Sequence, residues 1–246
     1  MIKIYIPARL KSTRINEKPL ALIDGLPLII HVLKRCQMSK MADEVLVCAD
    51  NKKIVNIVNH HNGKAILTSK KYKNGTERIA NVLQIKKDRK CKFIIDVQCD
   101  EIFINPRDID KLIKFHKKNK QFDIVIPYCL SIKNNNKNIV KLVHDRFNRI
   151  LYLSRADIPY SFKNKNNVIK KHLDFISFKS SALKKFKNLK QSLNEKNEGI
   201  ELLRAIENNM KVGTLKFNNN NFSINTEEDL KKARKIIKTY PIRQKY

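Results

Sequence analysis

Short apolar runs alternate with stretches of helical spacing along the first half of the chain. Residues 2–7 read as a strand ending at Pro7, and 8–18 as a polar, basic loop. Over 27–37, Leu28, Val32 and Cys36 recur on one helical face. Residues 44–49 form a short apolar run closed by Asp50-Asn51, and 53–61 a helix stopped at Asn62-Gly63. A strand at 65–67, a helix at 75–85, a strand at 93–98 and a helix at 108–119, just after Pro106, complete the series. Strands separated by helices of this length predict a parallel sheet with helices on both faces.

The second half is less regular. Residues 123–130, 140–144 and 149–154 predict strands, the last two a hairpin around 145–148. One further strand is expected at 170–178, helices at 195–207 and 227–239, and a strand at 211–217 between them. The Asn/Lys-rich segments 134–138, 163–167 and 218–221 have the length of ordinary surface connections. The expectation is a single α/β domain over 1–246, with a smaller β-rich insertion at about 130–180.

Composition narrows the class. At 246 residues, 42% hydrophobic and 30% charged, the chain can bury a core and is not disordered throughout. No apolar run approaches the ~20 residues that span a bilayer. The first residues lack the length and cleavage site of a signal peptide. A cytoplasmic protein with no membrane partner is expected. Five cysteines, an odd number without CxxC spacing, predict free buried thiols rather than disulfides or a zinc site. The net charge is +29, from 52 Lys+Arg against 23 Asp+Glu, which invites a nucleic-acid reading. Yet the excess is mostly Lys spread along the chain, beside abundant Asn and Ile, as an AT-rich coding sequence favours. No nucleic-acid motif and no Trp accompany it, so compositional drift is preferred over a nucleic-acid partner.

Three segments fall where an open parallel sheet binds ligands, beyond the carboxyl ends of its strands. The loop Pro7-Ala8-Arg9-Leu10-Lys11-Ser12-Thr13-Arg14-Ile15-Asn16-Glu17-Lys18-Pro19 has guanidinium, ammonium and hydroxyl donors enough to surround a polyphosphate. It holds no glycine, so it is neither a Walker loop nor GxGxxG. Asp96-Val97-Gln98-Cys99-Asp100-Glu101 ends a strand with carboxylates placed to hold Mg²⁺ beside substrate phosphates. Asn74-Gly75-Thr76-Glu77-Arg78 opens a helix whose first N–H groups could face an anion or a base edge. Taken singly, each also fits a solvated basic loop, a turn cap or an ordinary helix start.

Taken in order, the three resemble the sugar-activating cytidylyltransferases, with 3-deoxy-D-manno-octulosonate (Kdo) cytidylyltransferases the nearest pattern. Further segments continue the likeness almost end to end: Asp24-Gly25-Leu26-Pro27 through His31-Val32, Leu153-Ser154-Arg155-Ala156-Asp157-Ile158-Pro159, Lys171-His172-Leu173, Glu198 through Glu207, and Asn225-Thr226-Glu227-Glu228-Asp229-Leu230. The resemblance implies a Rossmann-like nucleotide-diphospho-sugar transferase fold with a mainly parallel central sheet. It implies the reaction CTP + Kdo → CMP-Kdo + pyrophosphate, with Mg²⁺, for lipopolysaccharide synthesis, and a homodimer formed through the β-rich insertion. It places Ala8, Arg9, Ser12, Lys18, Glu77, Arg78 and Gln98 at the nucleotide, and makes Arg9, Lys18 and Asp100 catalytic. Asp100 and the residue at 225 would hold metal, and Arg155, His172 and Glu201 would face the sugar acid.

The chain departs from that pattern in four places. Asn225 stands where the family has a metal-binding Asp, so metal affinity should fall unless Glu227 or Asp229 substitutes. Cys99 replaces the Gly of Val-Gln-Gly-Asp. Leu202 replaces a Gln beside Glu201. The family's His-x-Gly-x-Tyr-x-Tyr is His172-Leu173-Asp174-Phe175-Ile176-Ser177-Phe178, without either tyrosine. The nucleotide half is therefore kept better than the sugar half. Activation of another 2-keto sugar acid, and a diverged non-catalytic nucleotide-binding protein, remain as alternatives.

Overall fold

A strand apolar on both sides belongs inside a parallel sheet, and β1 (Ile2–Ala8) is buried at every position. The computed structural model describes all residues but 13, 73, 88–89, 134, 164–166 and 219–221. The three Asn/Lys-rich connections expected above lie partly outside the described residues. The chain divides into two units, Met1–Asp110 with Asn221–Tyr246, and Lys111–Asn220.

In the first unit, β1 is followed by a hairpin of β2 (Leu22–Ile23) and β3 (Leu26–Pro27), then α1 (Leu28–Gln37), β4 (Glu44–Ala49), α2 (Lys52–His60), β5 (Ala65–Leu67), α3 (Gly75–Ile85) and β6 (Phe93–Val97). β1 runs parallel between β4 and β6, and β5 extends the β4 edge, also parallel. Lys3 is a charged residue within a buried strand, and its cross-strand partner Glu44 lies 2.6 Å from its ammonium. The Asn51 side chain caps α2. After α2, Asn62 takes a left-handed turn, and a Cβ on Gly63 would lie 2.4 Å from Leu33 Cδ2, so only glycine fits there. The β2–β3 hairpin was not expected. Its strands have two residues each, and its signal is the Asp24-Gly25 turn, with φ of 46° and 79°. Helix α4 (Pro106–Lys118) starts at Pro106, which suits the first helical position, and the division between units falls within it.

The second unit is built around β7 (Ile124–Ile132). β8 (Lys141–His144) and β9 (Ile150–Ser154) form the expected hairpin, in which Asp145 Oδ1 accepts from the N–H groups of Phe147 and Arg149. The strand expected at 170–178 is instead two, β10 (Val168–His172) and β11 (Phe175–Lys179). Both pair antiparallel with the same edge of β7, because β12 (Val212–Lys216) covers the other. From His172↔Tyr128 to Ser177↔Val125 the chain advances five residues against three, so the strand bulges at Leu173-Asp174. α5 (Ser180–Lys187) was not anticipated; its Lys-rich surface obscures the buried Leu183 and Phe186. The single helix expected at 195–207 is α6 (Leu193–Glu198) and α7 (Leu203–Glu207), broken where Gly199 turns left-handed with φ of 62°.

The first unit closes with α8 (Glu227–Ile236), started by a capping box between Thr226 and Asp229. Among the described residues, no helix is long and apolar enough to cross a membrane. All five cysteines are free, and only Cys99 is not fully buried.

Candidate active site

A cleft of about 290 Å³ opens in the first unit at the carboxyl ends of β1 and β6. Its floor follows from how the 8–18 loop is tied down. Asp50, just beyond β4, donates its N–H to the Ala8 carbonyl and accepts the Leu10 N–H on Oδ1 at 2.8 Å. Ile15 is buried and anchors the loop's middle. Glu17 turns left-handed and pairs with Lys53, and Lys18 then begins a short 3₁₀ turn. Ala8, Arg9, Ser12 and Lys18 all line the cleft. Lys18 is 9% exposed, and its Nζ donates to Asp100 Oδ2 at 2.6 Å.

The opposite wall is the start of α3. Asn74 caps it by accepting the Glu77 N–H. A Cβ on Gly75 would lie 3.0 Å from the Pro7 ring and 3.1 Å from Gln98 Nε2, so a glycine lets this helix end close on the strands. Gln98 lines the cleft and donates to Asp96 Oδ1 at 3.0 Å. Arg78 also lines it, with one donor on the Thr68 hydroxyl and the Ser69 carbonyl, and a second 3.7 Å from the Asp50 carboxylate. Burial lowers its pKa, partly offset by Asp50. Glu77 stands in the same helical turn but is not among the residues lining the cleft.

The two expected metal ligands are joined through the backbone, since the Ile224 N–H donates to the Asp100 carbonyl at 3.2 Å. The Asn225 side-chain oxygen accepts from Arg14 Nη2 at 3.3 Å. Asp229 is engaged in the helix cap, where its Oδ2 accepts from the N–H groups of Asn225 and Thr226. No group of three or more His, Cys, Asp or Glu suited to a metal occurs among the described residues. One carboxylate and one amide oxygen do not make an all-protein cage. They fit Mg²⁺, which is commonly held by one or two protein oxygens together with substrate phosphates. The Lys18 ammonium on Asp100 already acts as a stand-in cation there. Cys99 lines the cleft as a neutral thiol, its pKa pushed up to about 12 by burial.

Arg155, His172 and Glu201 all belong to the second unit. Arg155 donates to the carbonyls of Glu198, Lys137 and Gly199, and its N–H to the Glu198 carboxylate, so it clamps the turn after α6. Glu201 lies in the link between α6 and α7. His172 ends β10, with Nδ1 3.1 Å from Asp174 Oδ1. Several further residues shape these sites. Arg14 and Gly75 stood within the quoted motifs, whereas Tyr72 at the cleft carries no sequence signal. Nor does Lys141, wholly buried, whose ammonium holds the Asn136 and Arg155 carbonyls and the Asp157 carboxylate.

Known proteins resemble this chain over nearly its whole length. Residues 4–212 match the family described as Cytidylyltransferase. A 3-deoxy-manno-octulosonate cytidylyltransferase of Thermodesulfovibrio yellowstonii is 36% identical over 248 residues, covering 96% of this chain and 97% of that protein. The enzyme of the same name from Rickettsia prowazekii is 36% identical over 242 residues, covering 96% and 95%. A solved CMP:2-keto-3-deoxy-manno-octonic acid synthetase complexed with CTP superimposes with a TM-score of 0.90 at 27% identity, over 97% of this chain and 98% of the other. A Leptospira borgpetersenii cytidylyltransferase, 14% identical with a TM-score of 0.66, shares the fold. The Rossmann-like α/β architecture expected from the motifs is therefore present, and the chain belongs to the family of 3-deoxy-manno-octulosonate cytidylyltransferases.

Proposed function

We propose that the chain transfers CMP from CTP to Kdo, releasing pyrophosphate and supplying the activated sugar for lipopolysaccharide synthesis. The observation that carries this reading is the cleft at the carboxyl ends of β1 and β6. There Arg9, Arg14 and Lys18 gather beside Gln98 and Asp100, in a chain whose full-length relatives have that name. The sugar's anomeric hydroxyl attacks the α-phosphorus in line. A carbon-linked oxygen–phosphorus bond forms, the α–β anhydride breaks, and the hydroxyl proton leaves to solvent. Such a transfer needs positioning and charge stabilisation more than covalent chemistry. Arg9 and Ser12 bind phosphate oxygens, and Lys18 moves from Asp100 onto the outer phosphates. Ala8, Arg78 and Gln98 shape the cytidine pocket, with Glu77 in the adjoining first turn of α3 behind its lining. Asp100 and the Asn225 amide oxygen would hold a Mg²⁺, whose chemistry there would be neutralisation of phosphate charge. Arg155, His172 and Glu201 serve the sugar acid.

A homodimer fits the second unit's surface. Ile132 is 70% exposed and stands opposite Val168, 44% exposed, with exposed Leu130 beside them. Free thiols suit a reducing cytoplasm. The non-catalytic reading has one observation in its favour, the Arg14 guanidinium on Asn225 where the family pattern has a metal-binding Asp. Pyrophosphate release from CTP, measured with and without Kdo and with product masses from a panel of sugar acids, decides among these readings. Kdo-dependent release with CMP-Kdo as product is expected. Release with a different acid alone reassigns the substrate, and CTP binding without release under any acid makes the chain non-catalytic.

A further inference from the structure

We infer that Asp174 is a positioning residue for His172, fixing its tautomer so that Nε2 accepts a hydrogen bond from a hydroxyl of the sugar acid. This rests on the reading that the second unit's residues serve the sugar acid. The bulge at Leu173-Asp174 interrupts the pairing with β7 where β10 passes into β11, and Asp174 lies beside the ring at the end of β10. Bulges re-aim side chains in this way and are frequent beside active sites. Nδ1 of His172 lies 3.1 Å from Asp174 Oδ1. A carboxylate only accepts, so Nδ1 carries the proton, and in the Nδ1–H tautomer Nε2 presents its lone pair. The ring is 9% exposed, and Nε2 is buried without a hydrogen-bond partner among the described residues. A buried polar atom left open in this way is uncommon in a folded protein and is accounted for when a ligand supplies the partner. The family pattern has glycine at this place, which offers no carboxylate. The support of the histidine is therefore this chain's own, in the segment that lacks the family's two tyrosines.

The test uses long-range ¹H–¹⁵N spectra of the full chain, in which six histidines give separable signals. His172 is expected as the Nδ1–H tautomer, and Kdo should shift its Nε2 resonance. Asp174 is 43% exposed at its side chain, so its replacement should leave the fold intact. Asp174→Ala should release the tautomer and raise KM for the sugar acid about tenfold, the scale of one lost supporting hydrogen bond. The kcat and the KM for CTP should stay within about twofold, which separates substrate positioning from general damage. Asp174→Asn keeps an acceptor oxygen for Nδ1–H and should restore most of the loss. An unchanged tautomer in Asp174→Ala overturns the inference, as does an unchanged sugar KM despite an altered tautomer. Failure of the parent to make any CMP-sugar defeats the functional reading instead, while the spectra of the free and sugar-bound chain still decide the pair.

Discussion

At the scale of single residues, the cleft is a matter of which cation rests on which oxygen. Lys18 sits on Asp100 and Arg14 on Asn225. If Lys18 moves to the outer phosphates when nucleotide arrives, Lys18→Ala should weaken CTP binding by about 10- to 100-fold, the worth of one charge-assisted hydrogen bond. CMP, without those phosphates, should lose far less, and calorimetry with both nucleotides measures the difference. Equal losses would remove Lys18 from the phosphates. Asp100→Asn should abolish turnover, because it removes the carboxylate assigned to the Mg²⁺. Asn225→Asp should lower the Mg²⁺ concentration needed for half-maximal pyrophosphate release, the added charge favouring a divalent ion. Arg14 opposes part of that gain by pairing with the new carboxylate. Full activity of Asp100→Asn would refute the metal assignment.

At the scale of elements, two helices are held by buried neutral histidines. On α1, His31 donates Nε2–H to the Ile23 carbonyl, and its Nδ1 accepts from the Tyr246 hydroxyl, which in turn accepts from Arg35. On α4, His116 donates to the Phe122 carbonyl and accepts from Ser177. Burial lowers both pKa values to about 4. The unfolded chain takes up these protons near 6.5, before the folded chain does. Stability contributed by the neutral rings is therefore complete above about pH 6.5 and declines as pH falls toward 4, with a slope of up to about 1.4 kcal/mol per pH unit for each histidine. Urea melts from pH 7 to 5 should show the decline, and His116→Gln should flatten it while lowering stability at pH 7. An identical slope in that variant would show that His116 does not contribute. Tyr246→Phe removes the hydroxyl that Arg35 Nε and His31 Nδ1 share and should cost about 1–3 kcal/mol.

At the scale of the whole molecule, the +29 charge and the exposed apolar residues of β7 and β10 are the features to test. Placing charges at Ile132 and Val168 together, Ile132→Asp with Val168→Asp, should convert a dimer to monomers in sedimentation while leaving the circular dichroism spectrum unchanged, since both side chains are exposed. A parent that sediments as a monomer rules the dimer out. The charge predicts that CTP affinity falls as salt rises, because screening weakens attraction between a basic surface and a polyanion. Any nucleic-acid binding of purely electrostatic origin should vanish more steeply over the same range.

Much of this was legible in the chain itself. β4, β5 and α3 lie where their patterns placed them, because local apolar runs and the Asn74-Gly75 cap specify short elements without help from distant residues. The basic loop and Asp100 stood out as candidate ligand-binding segments from residue type, position after a strand and the family resemblance, and the folded chain brings Arg9, Lys18 and Asp100 to one cleft. Other features depend on residues far apart in sequence. The break at Leu173-Asp174 lies inside an apolar run and becomes visible only as a register shift against β7. The occupation of Asp229 by a helix cap, of Arg155 by three carbonyls and of Asn225 by Arg14, 211 positions away, requires the folded backbone. Local pattern determines which segments become strands and helices, since propensity and burial act over a few residues. Which oxygen each cation holds is a question of distances across the chain, and those exist only once it has folded.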